Sequence, residues 1–509
     1  MTTTFSAVDP TTGAELGRYE DSSRAAVETA AGAAAEAAAD ARLADPGVRA
    51  ELLRDIARRL RDGSAALHEI YLAESGLPEP RSKGELERTC VQLELFADVV
   101  DEGSWADAII DRADPDFPVA PRPDLRRVQV PLGPVAVFAA SNFPYAFGVA
   151  GGDTASALAA GCPVVAKAHP SQPRTAELVA GHIADAVAAA RLPGGTFALV
   201  QGAAAEVGEA LVEAEPIEAV GFTGSLRGGR ALFDLAARRS RPIPVFAEMG
   251  SVNPVVITAG ALEARGDELA DGLAQSVAMG TGQFCTKPGL VLAPAGSGLA
   301  EAVATRLEDQ AAGVMLNERI HSAFTAAVDE LERSGDTRMA TGERNGGGEG
   351  YRHAPVVAVT SAAALLDEPA LGDERFGPLV LVAEYEDAAQ LTAVVRSLEG
   401  QLTATVHAED GELEQLAEVI ALLRGRAGRL LFAGFPTGVA VTHAMQHGGP
   451  YPATTASGHT SVGSTAIRRF LRPVAYQDAP AAVLPAALAD ENPLGIFRRV
   501  DGELTRDAL

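Results

Sequence analysis

From Pro134 onward the chain alternates short apolar runs with longer helical stretches, and nothing else in it restricts the possible fold so tightly. Residues 135–140, 163–167, 196–200, 217–222 and 244–247 are apolar runs of strand length. Segments such as 174–191 and 228–239 lie between them with helical spacing. The alternation predicts an α/β fold, a doubly wound sheet with helices on both faces. Sheets of this kind present their ligands at the carboxyl ends of the strands, so chemistry is sought in the residues that follow each run.

The flanking regions differ. The first hundred residues read as helices, an Ala-rich run over 22–43 and a second over 46–77 with Leu52, Ile56, Leu60 and Leu67 at helical spacing. Glu74-Ser75-Gly76-Leu77-Pro78 stops the second. Residues 126–131 alternate as a strand does. A further α/β stretch follows Glu248 to about Leu431, then a Gly- and Thr-rich segment over 434–463 and a strand at 471–476. An exposed loop is expected around Asn345-Gly346-Gly347-Gly348.

At 509 residues the chain exceeds one ordinary core, so two or more domains are expected. No stretch reaches the roughly 20 uninterrupted apolar residues that cross a bilayer, and Met1-Thr2-Thr3-Thr4-Phe5 has no secretory pattern. A soluble, cytoplasmic protein without a membrane partner is expected. The 42 basic and 68 acidic residues give a net charge of −26, which repels nucleic acid. A phosphate-bearing cofactor then needs local backbone N–H groups and a few placed cations. Cys90, Cys162 and Cys285 are the only cysteines, with no C-x-x-C pair, which argues against a disulfide framework and a thiolate zinc site.

Cys285 lies among small and polar residues in Gly282-Gln283-Phe284-Cys285-Thr286, a turn in which N–H groups can lower a thiol pKa. Cys162, in a helix stop before a strand, and Cys90, beside Leu93 and Leu95, read as small buried hydrophobes. Glu248 ends the fifth run with apolar neighbours that would raise its pKa toward the range of a general base. Taken alone it is also an ordinary turn carboxylate. Asn142 follows the first run and could donate to an oxyanion, or serve as a turn residue.

Phe222-Thr223-Gly224-Ser225 leads from a strand into a helix beginning near Gly228, where helix N–H groups could meet a pyrophosphate. Lys167 ends the second run. It is followed by Ala168-His169-Pro170-Ser171 with no acid before Glu177, which leans toward NADP because NAD-preferring sheets often carry a carboxylate there. The G-x-G-x-x-G fingerprint is absent. His443 and His447 stand four apart, but no acidic ligand accompanies them and Gly448-Gly449-Pro450 breaks the helix. They are assigned a structural or cleft-lining role, and no metal site is expected.

In order along the chain, Ser141-Asn142-Phe143-Pro144, Lys167, Gly221-Phe222-Thr223-Gly224-Ser225, Glu248-Met249-Gly250, Gly282-Gln283-Phe284-Cys285 and Glu374-Arg375-Phe376-Gly377-Pro378 resemble the aldehyde dehydrogenase superfamily. The resemblance covers essentially the whole chain. Residues 148–163, 224–230, 244–254 and 443–454 are similar to the branch of α-ketoglutaric semialdehyde (2,5-dioxopentanoate) dehydrogenases and an NADP-dependent fatty aldehyde dehydrogenase. Members that take the semialdehyde usually carry Asp and Arg within the stretch corresponding to 455–463, where this chain has Ala456 and Gly458. If that Arg holds the substrate's distal carboxylate, its loss weakens the case for this substrate.

The resemblance implies a fold and a set of roles. Two doubly wound α/β domains carry a small β oligomerisation arm, and a homodimer or homotetramer is expected. Residues 1–118 and 134–247 would form the dinucleotide-binding domain, 248–465 the catalytic domain, 119–133 and 466–485 the arm, and 486–509 a C-terminal tail. Cys285 would attack the aldehyde, with Asn142 and the Cys285 N–H at the oxyanion and Glu248 activating water. Lys167, Ser171, Gly221, Thr223, Gly224 and Ser225 would meet an NADP or NAD cofactor, with Glu374 on its nicotinamide ribose and Phe376 against the nicotinamide. The expected reaction is oxidation of a small-molecule aldehyde, best 2,5-dioxopentanoate to 2-oxoglutarate, otherwise aliphatic or aromatic aldehydes with NADP. A coenzyme A-acylating enzyme, a cysteine hydrolase or esterase, and a non-catalytic member are the competing readings. The retained Glu248, the phosphate turn and the filled catalytic positions respectively weigh against them.

Overall fold

The computed structural model describes residues 3–341 and 348–509; of the loop expected around Asn345–Gly348, residues 345–347 lie outside them. The predicted runs form one five-stranded parallel sheet, in the order Phe197–Val200, Val164–Lys167, Val135–Phe138, Ala219–Thr223, Val245–Glu248. Both faces are covered, which is why its strands read as continuous apolar runs. Val135 and Val137 point into a core built with helices Pro46–Asp62, Glu79–Glu102, Gly152–Ala160 and Pro173–Ala189. Ala136 and Phe138 point the other way, toward helices Arg24–Ala38, Ala205–Glu213 and Leu226–Arg238. Strand order reverses on either side of Val135–Phe138, which opens a crevice at the carboxyl edge.

A second sheet has seven strands: Arg338–Met339, Val356–Ser361, Leu379–Tyr385, Leu290–Pro294, Val255–Ile257, Gln401–His407 and Ala427–Leu431. All but the first, which pairs antiparallel, run parallel. Together the two layers make the doubly wound α/β fold expected from the alternation. The run at 255–257 follows Glu248 after six residues, so the fifth strand of one sheet leads directly into an interior strand of the other.

A third sheet joins distant parts of the chain, in the order Leu471–Gln477, Leu125–Pro131, Ile109–Asp111, Arg498–Val500, Glu503–Thr505. The two expected arm strands pair with each other over their whole length. Ile109–Asp111 and the last fifteen residues join them, so residues 486–509 are not a separate tail. Buried Arg498 donates to the carbonyls of Asp490 and Asp507, tying that end down.

Two other local readings change. The N-terminal region opens with a hairpin, Thr4–Val8 against Glu15–Glu20, ahead of its helices. Asp9 organises the turn by accepting from Thr11 and Thr12, and Gly13 takes φ +77°. The helical run over 46–77 is two helices, Pro46–Asp62 and Ser64–Ser75, broken at Gly63, where a Cβ would lie 2.3 Å from His182.

Candidate active site

The segment bearing Cys285 is held by backbone geometry that glycine permits. Helix Ala259–Ala278 ends in a turn with Gly280, Thr281 and Gly282 at positive φ. A Cβ on Gly282 would lie 2.2 Å from the Gly377 carbonyl oxygen, so the thiol loop rests directly on the backbone of the Glu374–Pro378 motif. Gln283 is buried and locks the loop from within, accepting from the Leu316 N–H at 2.9 Å and donating to the Val314 carbonyl at 3.0 Å. The Asn142 amide donates to the Gln283 carbonyl at 3.1 Å.

Asn253, fully buried at φ +50°, completes the support. Its amide donates to the Cys285 and Lys287 carbonyls at 2.8 and 3.0 Å, while its oxygen accepts from Ser251 and Thr403. The residue fixes the thiol loop to the second sheet, and sequence reasoning missed it. Its position between Val252 and Pro254, just past the Glu248 motif, was the available signal.

Glu248 occupies the last position of its strand, paired in register with Thr223, and is buried. The loop carrying His447 folds over it: the His447 N–H donates to Thr460, and the Ser461 N–H to the His447 carbonyl. His447 Nε2 then lies 3.0 Å from Glu248 Oε1 and 3.5 Å from Cys285 Sγ, and the Ser461 hydroxyl donates to Glu248 Oε2. One ligand-type atom from each of Glu248, Cys285 and His447 falls within 4.8 Å of the others. The acid missing from the sequence around His447 is therefore supplied by the fold. His443 stays exposed, in a non-helical segment, so the two histidines do not act together.

Electrostatics reverse two expectations. Burial would raise the Glu248 pKa, but the adjacent His447 and hydrogen bonds from Ser461 and Cys285 outweigh it and hold the carboxyl below its usual value. The Cys285 thiol is pushed well up, first by burial and then by the negative Glu248 beside it, with Arg88 opposing. The resting pair is thus a thiol beside a carboxylate. Neither the apolar neighbours of Glu248 nor the turn N–H groups around Cys285 control the protonation states. Cys90 and Cys162 are fully buried, as expected.

Cys285 opens into a cavity of about 210 Å³, lined also by Arg88, Phe143, Phe147, Phe284, Thr286, Gly438 and Val439. This is smaller than the ~300–1,000 Å³ of drug-sized sites and suits a short substrate. Arg81 stacks over Phe143 and Phe284, fixing the aromatic wall. Residues 455–463 are not part of the lining, and a Cβ on Gly458 would meet nothing within 4 Å.

On the other side lies the crevice at the carboxyl edge of the first sheet. Lys167, its ammonium depressed to about 8 by burial, donates to the Gly202 carbonyl at 2.7 Å. The Ser171 hydroxyl accepts from Asn317. Thr223 ends its strand, the Gly224 N–H donates to the Glu248 carbonyl, and exposed Ser225 caps helix Leu226–Arg238 by accepting from the Gly228 N–H. The helix starts two residues earlier than expected. Gly221 sits deeper, where a Cβ would lie 2.9 Å from the Asp153 carboxylate that pairs with buried Arg469. Glu374 retains accessible surface yet is ringed by protein, and a Cβ on Gly250 would lie 2.3 Å from its carboxylate. Burial raises the Glu374 pKa against the opposing charge of Lys287. Phe376 is half-buried in the same loop. A sheet-edge crevice, an open helix N-terminus and a lysine that, among the described residues, hydrogen-bonds to carbonyls fit a dinucleotide.

This combination of a sheet-edge crevice and a thiol–carboxylate–imidazole cluster defines a thiol-dependent α/β enzyme. A model of the Aldehyde dehydrogenase family matches residues 1–449, and the chain belongs to that family, whose members oxidise aldehydes with NAD or NADP. It is 46% identical over 512 residues to alpha-ketoglutaric semialdehyde dehydrogenase 2 of Azospirillum brasilense, covering 98% of this chain and 96% of that protein. It is also 46% identical to an alpha-ketoglutaric semialdehyde dehydrogenase of Acinetobacter baylyi, covering 90% and 88%. Among solved structures, betaine aldehyde dehydrogenase from Staphylococcus aureus in complex with NAD+ superposes with a TM-score of 0.80 at 20% identity, covering 94% of this chain and 92% of that one. Membership in this family sets aside the hydrolase and esterase readings.

Proposed function

We propose that the protein oxidises 2,5-dioxopentanoate to 2-oxoglutarate, with NADP preferred over NAD. The observation that carries the reading is the thiol–carboxylate–imidazole cluster at the end of a small cavity whose lining includes one cation, Arg88. The two semialdehyde dehydrogenases similar over nearly the whole chain support the substrate. The cofactor preference is supported by Lys167, which hydrogen-bonds to carbonyls, while the nearest downstream acid, Glu177, is engaged by Arg174 and Gln201. The three aromatic walls favour a second reading, turnover of aliphatic or aromatic aldehydes.

In the proposed reaction, Cys285 Sγ adds to the aldehyde carbon as its proton passes to the Glu248–His447 pair. Asn142 has a second amide hydrogen beyond the one given to Gln283, and with the Cys285 N–H it stabilises the resulting oxyanion. A bound nicotinamide supplies the acceptor for the hydride that leaves this carbon. A thioester remains on Cys285. The proton taken from Cys285 leaves to solvent, so that Glu248, again held ionised by His447 and Ser461, takes a proton from water; the oxygen adds to the carbonyl, the C–S bond breaks, and the acid departs as the thiolate receives that proton. Lys167, Ser171, Gly221, Thr223, Gly224 and Ser225 would position the adenosine and phosphate end, and Glu374 and Phe376 the nicotinamide end.

In this reading residues 1–118 and 134–247 carry the dinucleotide, 248–465 the catalytic loop, and the third sheet the contact between subunits of a cytoplasmic homodimer or homotetramer. No described helix is long and apolar enough to cross a membrane. Initial rates of nicotinamide reduction by wild type and Cys285→Ala test the proposal, with 2,5-dioxopentanoate, succinic semialdehyde and uncharged aldehydes, each with NAD and NADP. The expected result is highest kcat/KM for 2,5-dioxopentanoate with NADP and none for the variant. Faster turnover of uncharged aldehydes than of both semialdehydes overturns the substrate.

A further inference from the structure

We infer that Arg88 is the specificity-determining residue of the cavity, pairing with the carboxylate at the far end of the substrate from the aldehyde. The inference rests on the substrate proposed above and deepens it.

Arg88 belongs to helix Glu79–Glu102, remote in sequence from every motif around the thiol, and it lines the same cavity as Cys285. Its guanidinium is largely withdrawn from water, and burial lowers its pKa. Among the described residues, two of its nitrogens make only long contacts, 3.4 Å each, with the Val439 carbonyl, and buried Nη1 has no hydrogen-bond partner. Phe147 lies under it at 5.4 Å, which steers the fork without satisfying it.

No carboxylate of the described residues is within ion-pair distance of Arg88. Glu85, one turn earlier, is already committed: one oxygen accepts from the Tyr145 and Ala146 N–H groups, the other from Tyr71 and Arg81. Burying an unpaired cation with an unfilled donor is costly, and the cost is recovered when an anion enters. Apart from Cys285 and Thr286 the remaining lining is aromatic, aliphatic or glycine, so this fork is its charged feature, and a planar carboxylate matches it. An aldehyde with its carboxylate a few carbons away would meet Cys285 at one end and Arg88 at the other. The guanidinium thereby does the work for which Arg is missing from 455–463.

Arg88 is also near enough to oppose the rise in the Cys285 pKa, so a role in activating the thiol must be separated from one in binding. The measurement is the ratio of kcat/KM for 2,5-dioxopentanoate to that for pentanal, in wild type, Arg88→Met and Arg88→Lys, with folding checked by circular dichroism. Wild type should favour the carboxylated aldehyde. Arg88→Met should lower the ratio by about 10–100-fold, the range of a lost charge-assisted contact, mainly through KM, with Arg88→Lys between the two. Equal losses on both aldehydes, leaving the ratio unaltered, would overturn the inference. A wild-type ratio near one would instead sink the proposed substrate. If Arg88→Met does not fold, binding of 2-oxoglutarate to Arg88→Lys and wild type by calorimetry decides: equal affinity refutes the pairing.

Discussion

A buried thiol facing an ionised carboxylate is poorly nucleophilic at rest, because forming the thiolate sets two negative charges side by side in a medium that screens them weakly. In this site the carboxylate wins the competition, since His447 and Ser461 stabilise its charged form while burial disfavours the thiolate. Alkylation of Cys285 by iodoacetamide in the cofactor-free enzyme should therefore keep accelerating above pH 9. Glu248→Gln removes the neighbouring negative charge, so the thiolate forms at lower pH and the profile moves in the acid direction. The rate followed against pH in both proteins checks this, and an unmoved or alkaline-shifted profile refutes it. Glu248→Gln should also lose thioester hydrolysis, by about 100-fold or more in kcat.

At the scale of elements, the site depends on two loops touching backbone to backbone. Gly282→Ala places a methyl group against the Gly377 carbonyl at a residue with φ +64°, so the loops must part. The expected cost is about 1–3 kcal/mol in urea unfolding with a fall of at least tenfold in kcat; wild-type values for both would show that the contact is dispensable. This contact also shows what the sequence could reveal. The five parallel strands were legible because a sheet covered on both faces demands unbroken apolar runs, and Cys285, Glu248 and Asn142 were legible because they follow turns or strand ends. Asn253, Arg88 and the partnership of His447 with Glu248 were not, since each acts on a segment tens to hundreds of residues away and leaves no local pattern. The N-terminal hairpin escaped because its apolar alternation is short and stands before a long Ala-rich helix.

At the scale of the molecule, among the described residues the third sheet presents an unpaired outer edge at Leu471–Gln477, and Ala427–Leu431 does the same for the seven-stranded sheet. The Leu132 N–H bonds to the Phe470 carbonyl, so in this antiparallel ladder the even-numbered residues face inward and Ala475 directs its N–H outward. Members of this family are typically oligomeric, and such an edge is a template for joining chains. The wild type should sediment as a dimer or tetramer. Ala475→Pro, which removes an outward donor while sparing the internal ladder, should raise the dissociation constant about tenfold. Sedimentation velocity over a dilution series measures it, and an unchanged distribution would exclude this edge from the interface.

The cavity's cation and the reacting groups come from different parts of the chain: Arg88 from an N-terminal helix, the thiol, carboxylate and imidazole from the ends and loops of the two sheets. A substitution at Arg88 can change which aldehyde is favoured while every strand end and reacting side chain keeps its residue. The charge of the preferred substrate is thereby set by a residue that makes no hydrogen bond to the thiol, carboxylate or imidazole. New specificities can be sought at this one helical position, with Arg81 and Glu85 of the same helix retained because they hold the segment that carries Asn142.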